Sequence, residues 1–198
     1  MTFKVKDHFY KKAKEENYLA RSIYKLEEID DKYKVLKVGD NVLDLGYYPG
    51  SWIQYTAKKI GPNGKVIGID IKPVNNKLSS LKNVIVYEKD IFDINGPQDL
   101  AVTTYFDVVV SDMAPNTTGI KSVDQIKSLE LVQKVIDILP KILKENGNFV
   151  IKVFESQEAQ DYFKSIKDIF QKISFLRPKS TRSVSKEYFV IGEGYKKK

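Results

Sequence analysis

The feature that most constrains this chain's fold is alternation. Short apolar runs of strand character alternate with helical patterns along most of its length, the signature of a parallel sheet covered by helices. Residues 41–45, 65–70, 84–87, 106–111 and 148–154 read as strands. The fourth, Phe106-Asp107-Val108-Val109-Val110-Ser111, is nearly all apolar, as suits a central strand buried on both faces. Leu19, Ile23, Leu26 and Ile29 recur at helical spacing and predict a helix over 18–31. A second helix is expected over 51–60, stopped by the turn Gly61-Pro62-Asn63-Gly64. A long amphipathic one is expected over 123–143, with Pro140 tightening or kinking its last turn. A helix over 159–170 precedes two late strands, 173–176 and 188–191, with no long helix between them. Such a pair predicts an antiparallel hairpin closing a mostly parallel sheet. There is no internal repeat or low-complexity linker, so the 198 residues are expected to form one α/β domain of Rossmann-like form.

Composition excludes several classes. The chain has no cysteine, which rules out disulfides and Cys-based zinc sites and fits a reducing compartment. The single His8 cannot build a metal site alone, so no metal is expected. No apolar run approaches the roughly 18 residues of a membrane span, and the first seven residues lack the apolar core of a secretory signal. The expectation is a cytoplasmic monomer with no membrane partner. The net charge of +7 is unevenly placed: residues 1–14 carry +4 and residues 177–198 carry +5, leaving −2 for the middle. If the two ends share a face, they suit a phosphate backbone. Lys4, Lys6, Lys11, Lys12, Lys14 and Arg21 near one end, with Lys179, Arg182 and Lys186 near the other, are the candidate RNA contacts. Residues 1–17 form the basic N-terminal segment. Tyr10 and Tyr18 can stack on bases, although aromatic residues at such spacing more often pack.

The segment Asp44-Leu45-Gly46-Tyr47-Tyr48-Pro49-Gly50-Ser51-Trp52 follows a strand and opens a helix. Gly46 and Gly50 permit a sharp turn with a ligand against the backbone. Asp70 ends the next strand, where a carboxylate can accept the hydroxyls of an adenosine ribose. Asp90 follows the third strand and can accept an adenine amino group. A diphosphate cofactor favours three glycines and a free helix N-terminus. Here Tyr48 takes the second glycine position, Pro49 crowds the loop, and Asp44 would repel a diphosphate. An acid before the loop suits a cationic ligand, and S-adenosylmethionine carries an ammonium and a sulfonium. The loop therefore favours that cofactor over NAD. Ser51 at the helix start is expected to cap it.

The fourth strand ends in Ser111-Asp112-Met113-Ala114-Pro115-Asn116, where ligands of open parallel sheets lie. The fifth contains Lys152 inside Val150-Ile151-Lys152-Val153-Phe154. A lysine in an apolar strand is costly to bury unless paired or functional. These stretches, with Ala20-Arg21-Ser22-Ile23-Tyr24-Lys25-Leu26, the cofactor loop, and Arg182-Ser183 leading to Glu187, occur in the order found in the FtsJ/RrmJ family of ribose 2′-O-methyltransferases, which the chain resembles over nearly its whole length.

The resemblance implies a seven-stranded sheet with the last strand antiparallel. It also implies a Lys-Asp-Lys-Glu tetrad mapping onto Lys25, Asp112, Lys152 and Glu187. The implied activity is methyl transfer from S-adenosylmethionine to a ribose 2′-hydroxyl of large-subunit ribosomal RNA, at a 23S-type uridine. From periodicity alone Lys25 reads as a snorkelling surface lysine and Glu187 as an exposed strand carboxylate. The cofactor contacts expected are Asp44, Gly46, Pro49, Gly50, Ser51, Trp52, Asp70, Asp90 and Asp112. Tyr47 and Tyr48 replace small residues of the family's loop and are expected to narrow the methionine pocket. Rival readings are a transfer-RNA or cap 2′-O-methyltransferase, a nicotinamide oxidoreductase on the related fold, and a non-catalytic RNA-binding ribosome-assembly factor.

Overall fold

A computed structural model describes residues 8–197 of the chain. In chain order the elements are α1 (His8–Glu15), α2 (Ile23–Tyr33), β1 (Asn41–Leu45), α3 (Ser51–Ile60), β2 (Lys65–Asp70), β3 (Val84–Glu88), β4 (Phe106–Ser111), α4 (Lys121–Ile142), β5 (Leu143–Phe154), α5 (Gln157–Ser165), β6 (Phe170–Leu176) and β7 (Glu187–Tyr195). The strands form one seven-stranded sheet in the order β3-β2-β1-β4-β5-β7-β6. Strands β1 to β5 pair in parallel, and β7 runs antiparallel to both β5 and β6. The late hairpin predicted from the missing helix is therefore present, with β7 inserted between β5 and the edge strand β6.

Alternation along each strand divides the core in two. Leu43, Val109, Phe149 and Val190 face α4 and α5. Val42, Val110, Val150 and Phe189 face α2 and α3. Asp44, Lys152 and Glu187 lie two residues from Val42, Val150 and Phe189, so they project from the same side of the sheet as α2 and α3. Register then aligns the functional ends: Leu45 pairs with Ser111 and with Ile69, Ser111 with Ile151, and Phe154 with Glu187.

Several segments differ from the sequence reading: β5 begins at Leu143 rather than 148 and β7 runs to Tyr195 rather than 191, each longer than its apolar run. The helix expected over 18–31 begins only at Ile23. Residues 18–22 form a turn, in which the Leu19 N–H is satisfied by Gln54 Oε1 at 2.8 Å. The basic segment contains α1, whose one buried residue, Ala13, gives no periodic signal. The helix expected over 159–170 stops at Ser165, because Phe170 is drawn into β6. Its ring meets Phe149 edge-on at 4.7 Å and lies 5.4 Å from Tyr195, and this aromatic burial outweighs helical continuation. Pro140 sits inside α4 one turn before β5 begins at Leu143, so the helix ends where that ring can be accommodated.

Helix α2 is fixed to α3 by a buried carboxylate. Asp30 is fully buried, yet it accepts from the Leu36 N–H at 3.0 Å and from Tyr55 Oη at 2.9 Å, and Lys59 Nζ lies 3.0 Å away. Such a satisfied acid is a structural tie.

Candidate active site

Four side chains, from α2, the residue after β4, β5 and β7, meet at the carboxyl edge of the sheet. Lys152 Nζ lies 3.0 Å from Asp112 Oδ1 and also donates to the Asp112 main-chain carbonyl. Lys25 Nζ donates to Glu187 Oε1, closing a contact across 162 residues of sequence. All four are withdrawn from water, with side-chain exposures of 8% for Lys152, 18% for Asp112, 15% for Lys25 and 10% for Glu187. Burial pushes the Glu187 carboxyl up, but the attraction of Lys25, aided by Lys152 and a Ser185 hydrogen bond, outweighs it and holds the group below its ordinary value. Glu187 thus feels both lysines, and the two ion pairs form one charge cluster. Lys25 is not a snorkelling surface lysine and Glu187 is not an exposed strand carboxylate: both are buried partners. Lys25 also rests 5.7 Å from the Phe189 ring centroid.

Beside this cluster lies a cavity of about 410 Å³, lined among others by Gly46, Tyr48, Asp70, Lys72, Asp90, Phe92, Asp112 and Met113. Gly46 has φ +75°, and a Cβ there would come within 2.4 Å of Met113 Cγ, so the turn and the strand end beyond β4 touch only because the side chain is missing. Gly50 has φ +115° and abuts Leu78. Asp70 uses its carboxylate to accept from the N–H groups of Tyr48 (3.0 Å) and Lys72 (2.9 Å), and Asp90 accepts from Phe92 at 3.0 Å. Both acids are thereby oriented at the cavity wall.

Asp44 is the contrast to Asp30. It is fully buried on β1, and neither carboxylate oxygen has a hydrogen-bond partner. Desolvation, reinforced by the charges of Asp112 and Asp70, pushes its carboxyl well above the ordinary range. An orphaned acid of this kind, next to two cavity-lining carboxylates, is a site made for a cation. The region is thus strongly acidic at one end and carries exposed apolar Ile71 and Phe92 at the other. That donor set fits a ligand with a cationic head, a ribose and a flat apolar ring.

Not every expected cofactor contact lines the cavity. Ser51 Oγ shares a hydrogen bond with Ser22 Oγ at 2.9 Å and makes no cap, the N-cap position being Gly50. Trp52 is buried, donates to the Ser22 carbonyl at 2.8 Å, and packs 5.7 Å from Phe189. Both residues therefore fix α3 to α2 rather than face the opening. Pro49 follows a cis peptide bond, and its carbonyl accepts from Asn75 Nδ2. Tyr47 turns into the α3 side of the core, where its Oη accepts from the Asn75 N–H at 3.3 Å, so it does not narrow the cavity. Tyr48 is 42% exposed at the rim, with Lys72 Nζ 4.9 Å above its ring. Lys72, Ile71 and Phe92 were missed by sequence reasoning. For Ile71 and Phe92 the available signal was an apolar residue within two positions of Asp70 and Asp90.

The basic ends converge on α2. The loop after β6 is tied down by Glu28, which accepts from the N–H groups of Lys179 (2.7 Å) and Ser180 (2.9 Å), while Arg21 donates to the Ser180 carbonyl. Arg177 closes the same loop onto the Ser183 and Ser185 carbonyls. Lys11, Lys12 and Lys14 lie on α1, beside α2; Lys4 and Lys6 fall outside the described residues. Tyr18 packs edge-on against Tyr24 at 6.5 Å, which favours its packing role, whereas Tyr10 is 39% exposed. No described helix is long and apolar enough to cross a membrane, and among the described residues no cluster of three or more acidic or histidine side chains is suited to a metal.

Comparison with known proteins gives the relatives of this arrangement. The family described as FtsJ-like methyltransferase matches residues 18–195. A protein named Ribosomal RNA large subunit methyltransferase E from Bdellovibrio bacteriovorus is 44% identical over 97% of this chain and 98% of its own length. One of the same name from Brachyspira hyodysenteriae is 42% identical over 98% of both. Among solved structures, a ribosomal RNA methyltransferase of Plasmodium falciparum superposes with a TM-score of 0.75 at 27% identity, over 90% of this chain and 98% of that one. An Aeropyrum pernix fibrillarin with natively bound S-adenosyl-L-methionine shares the fold, with a TM-score of 0.60 at 15% identity over 80% and 68% of the two chains.

Proposed function

The chain belongs to the FtsJ-like methyltransferase family, and from that premise we propose that it transfers a methyl group from S-adenosylmethionine to a ribose 2′-hydroxyl of large-subunit ribosomal RNA. The observation that carries this reading is the paired cluster Lys152–Asp112 and Lys25–Glu187 beside a cavity walled by Asp70, Asp90 and Asp112, with the orphaned Asp44 buried near Asp70 and Asp112. Full-length relatives named for large-subunit ribosomal RNA support the substrate class. In this reading the enzyme acts as a cytoplasmic monomer on ribosomal RNA, free or within the large subunit.

S-adenosylmethionine, when bound, supplies a methyl group activated by its sulfonium. Asp112, with the buried Asp44 near it, would hold the cationic end, Asp70 the ribose and Asp90 the adenine, with Gly46 and Gly50 allowing close approach. Lys152 Nζ, fixed by Asp112, receives or directs the proton of the ribose 2′-hydroxyl. Lys25 and Glu187 hold the ribose and keep the charges of the cluster balanced. Incubation of the protein with labelled S-adenosylmethionine and large-subunit particles or free ribosomal RNA, followed by mapping of ribose methylation, tests the assignment. Label confined to transfer RNA or a cap would redirect it, and no transfer to any RNA would end it.

Two predictions follow from the surface. RNA binding through Lys11, Lys12, Lys14, Arg21 and the 177–186 loop releases counterions, so log Kd is expected to rise linearly with log salt, with a slope near 0.7–0.9 per phosphate contacted. A salt titration giving a flat line would remove this surface from the reading. Glu28 acts as a positioning residue, because it holds the loop that leads into Glu187. Glu28→Ala is expected to lower kcat by on the order of tenfold to a hundredfold and to leave S-adenosylmethionine affinity unchanged. Glu28→Gln, which keeps an acceptor, restores part of the loss. Equal kcat for all three proteins would show that the loop holds its place without the tie.

A further inference from the structure

The sheet has a second cavity at its carboxyl edge, on the face opposite α2, and the ribose cluster makes no use of it. It has a volume of about 440 Å³, opens between α5 and the β6–β7 hairpin, and reaches Glu187. We propose that it receives the base of a nucleotide adjoining the methylated one, a step that rests on the RNA reading above.

The wall of the cavity is aromatic. Phe175 is 52% exposed, although its ring is flanked by Phe163 at 6.2 Å and Tyr188 at 5.9 Å. The two neighbours hold the ring in place and leave part of its surface uncovered, as a stacking platform requires. Polar groups share this wall. Tyr188 Oη is buried without a hydrogen-bond partner, and a base edge would supply one. Burial and the nearby Glu155 push that phenol up to about 12, so it stays protonated and donates. Gln160 adds an amide able to both donate and accept.

The charges choose between the parts of a nucleotide. Glu155 and Glu187 both border the cavity and disfavour a phosphate inside it; of the two cations on its wall, Lys164 is paired with Asp161 at 3.0 Å, and Arg177, held by the Ser183 and Ser185 carbonyls, stands exposed where a backbone would pass. The occupant is therefore a base, with its phosphate outside. Glu187 connects the two sites: it pairs with Lys25 on one side of the sheet edge and borders the cavity on the other. A strand of RNA laid across β7 would place one ribose at the cluster and a neighbouring base in the cavity.

The test uses the full chain and a ribosomal RNA fragment carrying 4-thiouridine beside the methylated position. Irradiation is expected to crosslink that base to the peptide containing Phe175 or Tyr188. Phe175→Ala is expected to weaken RNA binding about tenfold, Phe175→Trp to keep it, and Tyr188→Phe to weaken it severalfold, with S-adenosylmethionine affinity and melting temperature unchanged in the latter two. Crosslinks that map elsewhere, together with wild-type RNA affinity in Phe175→Ala and Tyr188→Phe, would overturn the cavity's role. Because the readouts are binding and crosslinking, they separate from the functional reading. RNA captured at Phe175 without methyl transfer would end that reading and keep the cavity, and methylation with no crosslink there would do the reverse.

Discussion

Replacing Lys152 with alanine is expected to lower kcat for RNA methylation by on the order of 10²–10⁴-fold, while the affinity for S-adenosylmethionine changes little. The amine sits in β5 with 8% side-chain exposure, held by both the carboxylate and the main-chain carbonyl of Asp112. A lysine placed there has no packing purpose: an apolar residue would fill an interior strand position at less cost. Its removal strands Asp112 in a low-dielectric site already occupied by Asp44, so the variant is also expected to lose stability, on the order of 3 kcal/mol. Activity must therefore be compared below the variant's melting transition, with S-adenosylmethionine binding measured by calorimetry as the control. Lys152→Arg keeps the charge and most of the stability but does not shed a proton near neutrality. Loss of turnover in both variants identifies a proton-handling amine, and loss only in Lys152→Ala identifies a fixed positive charge. Turnover near the unaltered rate in Lys152→Ala would dismiss the assignment.

How much of this was legible in the sequence depends on how local each signal is. Strands β1, β2 and β4 matched to the residue, because a strand buried on both faces writes its length as an apolar run. The reversal of β7 followed from a missing helix. The α1 helix was invisible because a short element with one buried residue has no period. Asp112 and Lys152 were readable as chemistry, being polar groups where a parallel sheet offers its ligands and where burial is expensive. Lys25 and Glu187 were not, since each is ordinary in its own segment and gains its environment only from a partner 162 residues away. Family resemblance supplied them, and the structure shows the physical reason: α2 is held over the sheet by Asp30, and β7 enters beside β5. Ser51 and Trp52 show the converse. Their place in the loop suggested ligand contact, yet helix α3 turns them toward Ser22 and Phe189.

Asp30 and Asp44, the two fully buried aspartates among the described residues, should respond in opposite ways to the same change. Asp30 has three partners, so Asp30→Asn weakens acceptors that two buried donors need and is expected to lower the melting temperature. Asp44 has none, and its carboxyl is raised by burial and by Asp112 and Asp70. A folded-state pKa above the unfolded value means the folded protein binds more protons, so the stability contributed by Asp44 is present below the ordinary carboxylate range and is lost as pH rises toward its raised value. Asp44→Asn removes that penalty, and the ligand-free variant is expected to melt higher than the unaltered protein at neutral pH, by several degrees for each kcal/mol recovered. The difference should vanish in acid. S-adenosylmethionine reverses the order. If its ammonium supplies the partner that the ionised carboxylate lacks, the unaltered protein is expected to gain stability with ligand concentration, and Asp44→Asn to gain little and bind on the order of tenfold or more weakly. Melting curves from pH 4 to 8, with and without S-adenosylmethionine, read all of this without any turnover. A lower ligand-free melting temperature for Asp44→Asn with undiminished ligand stabilisation would mean that Asp44 is a structural acid like Asp30 and that the cationic head is held elsewhere.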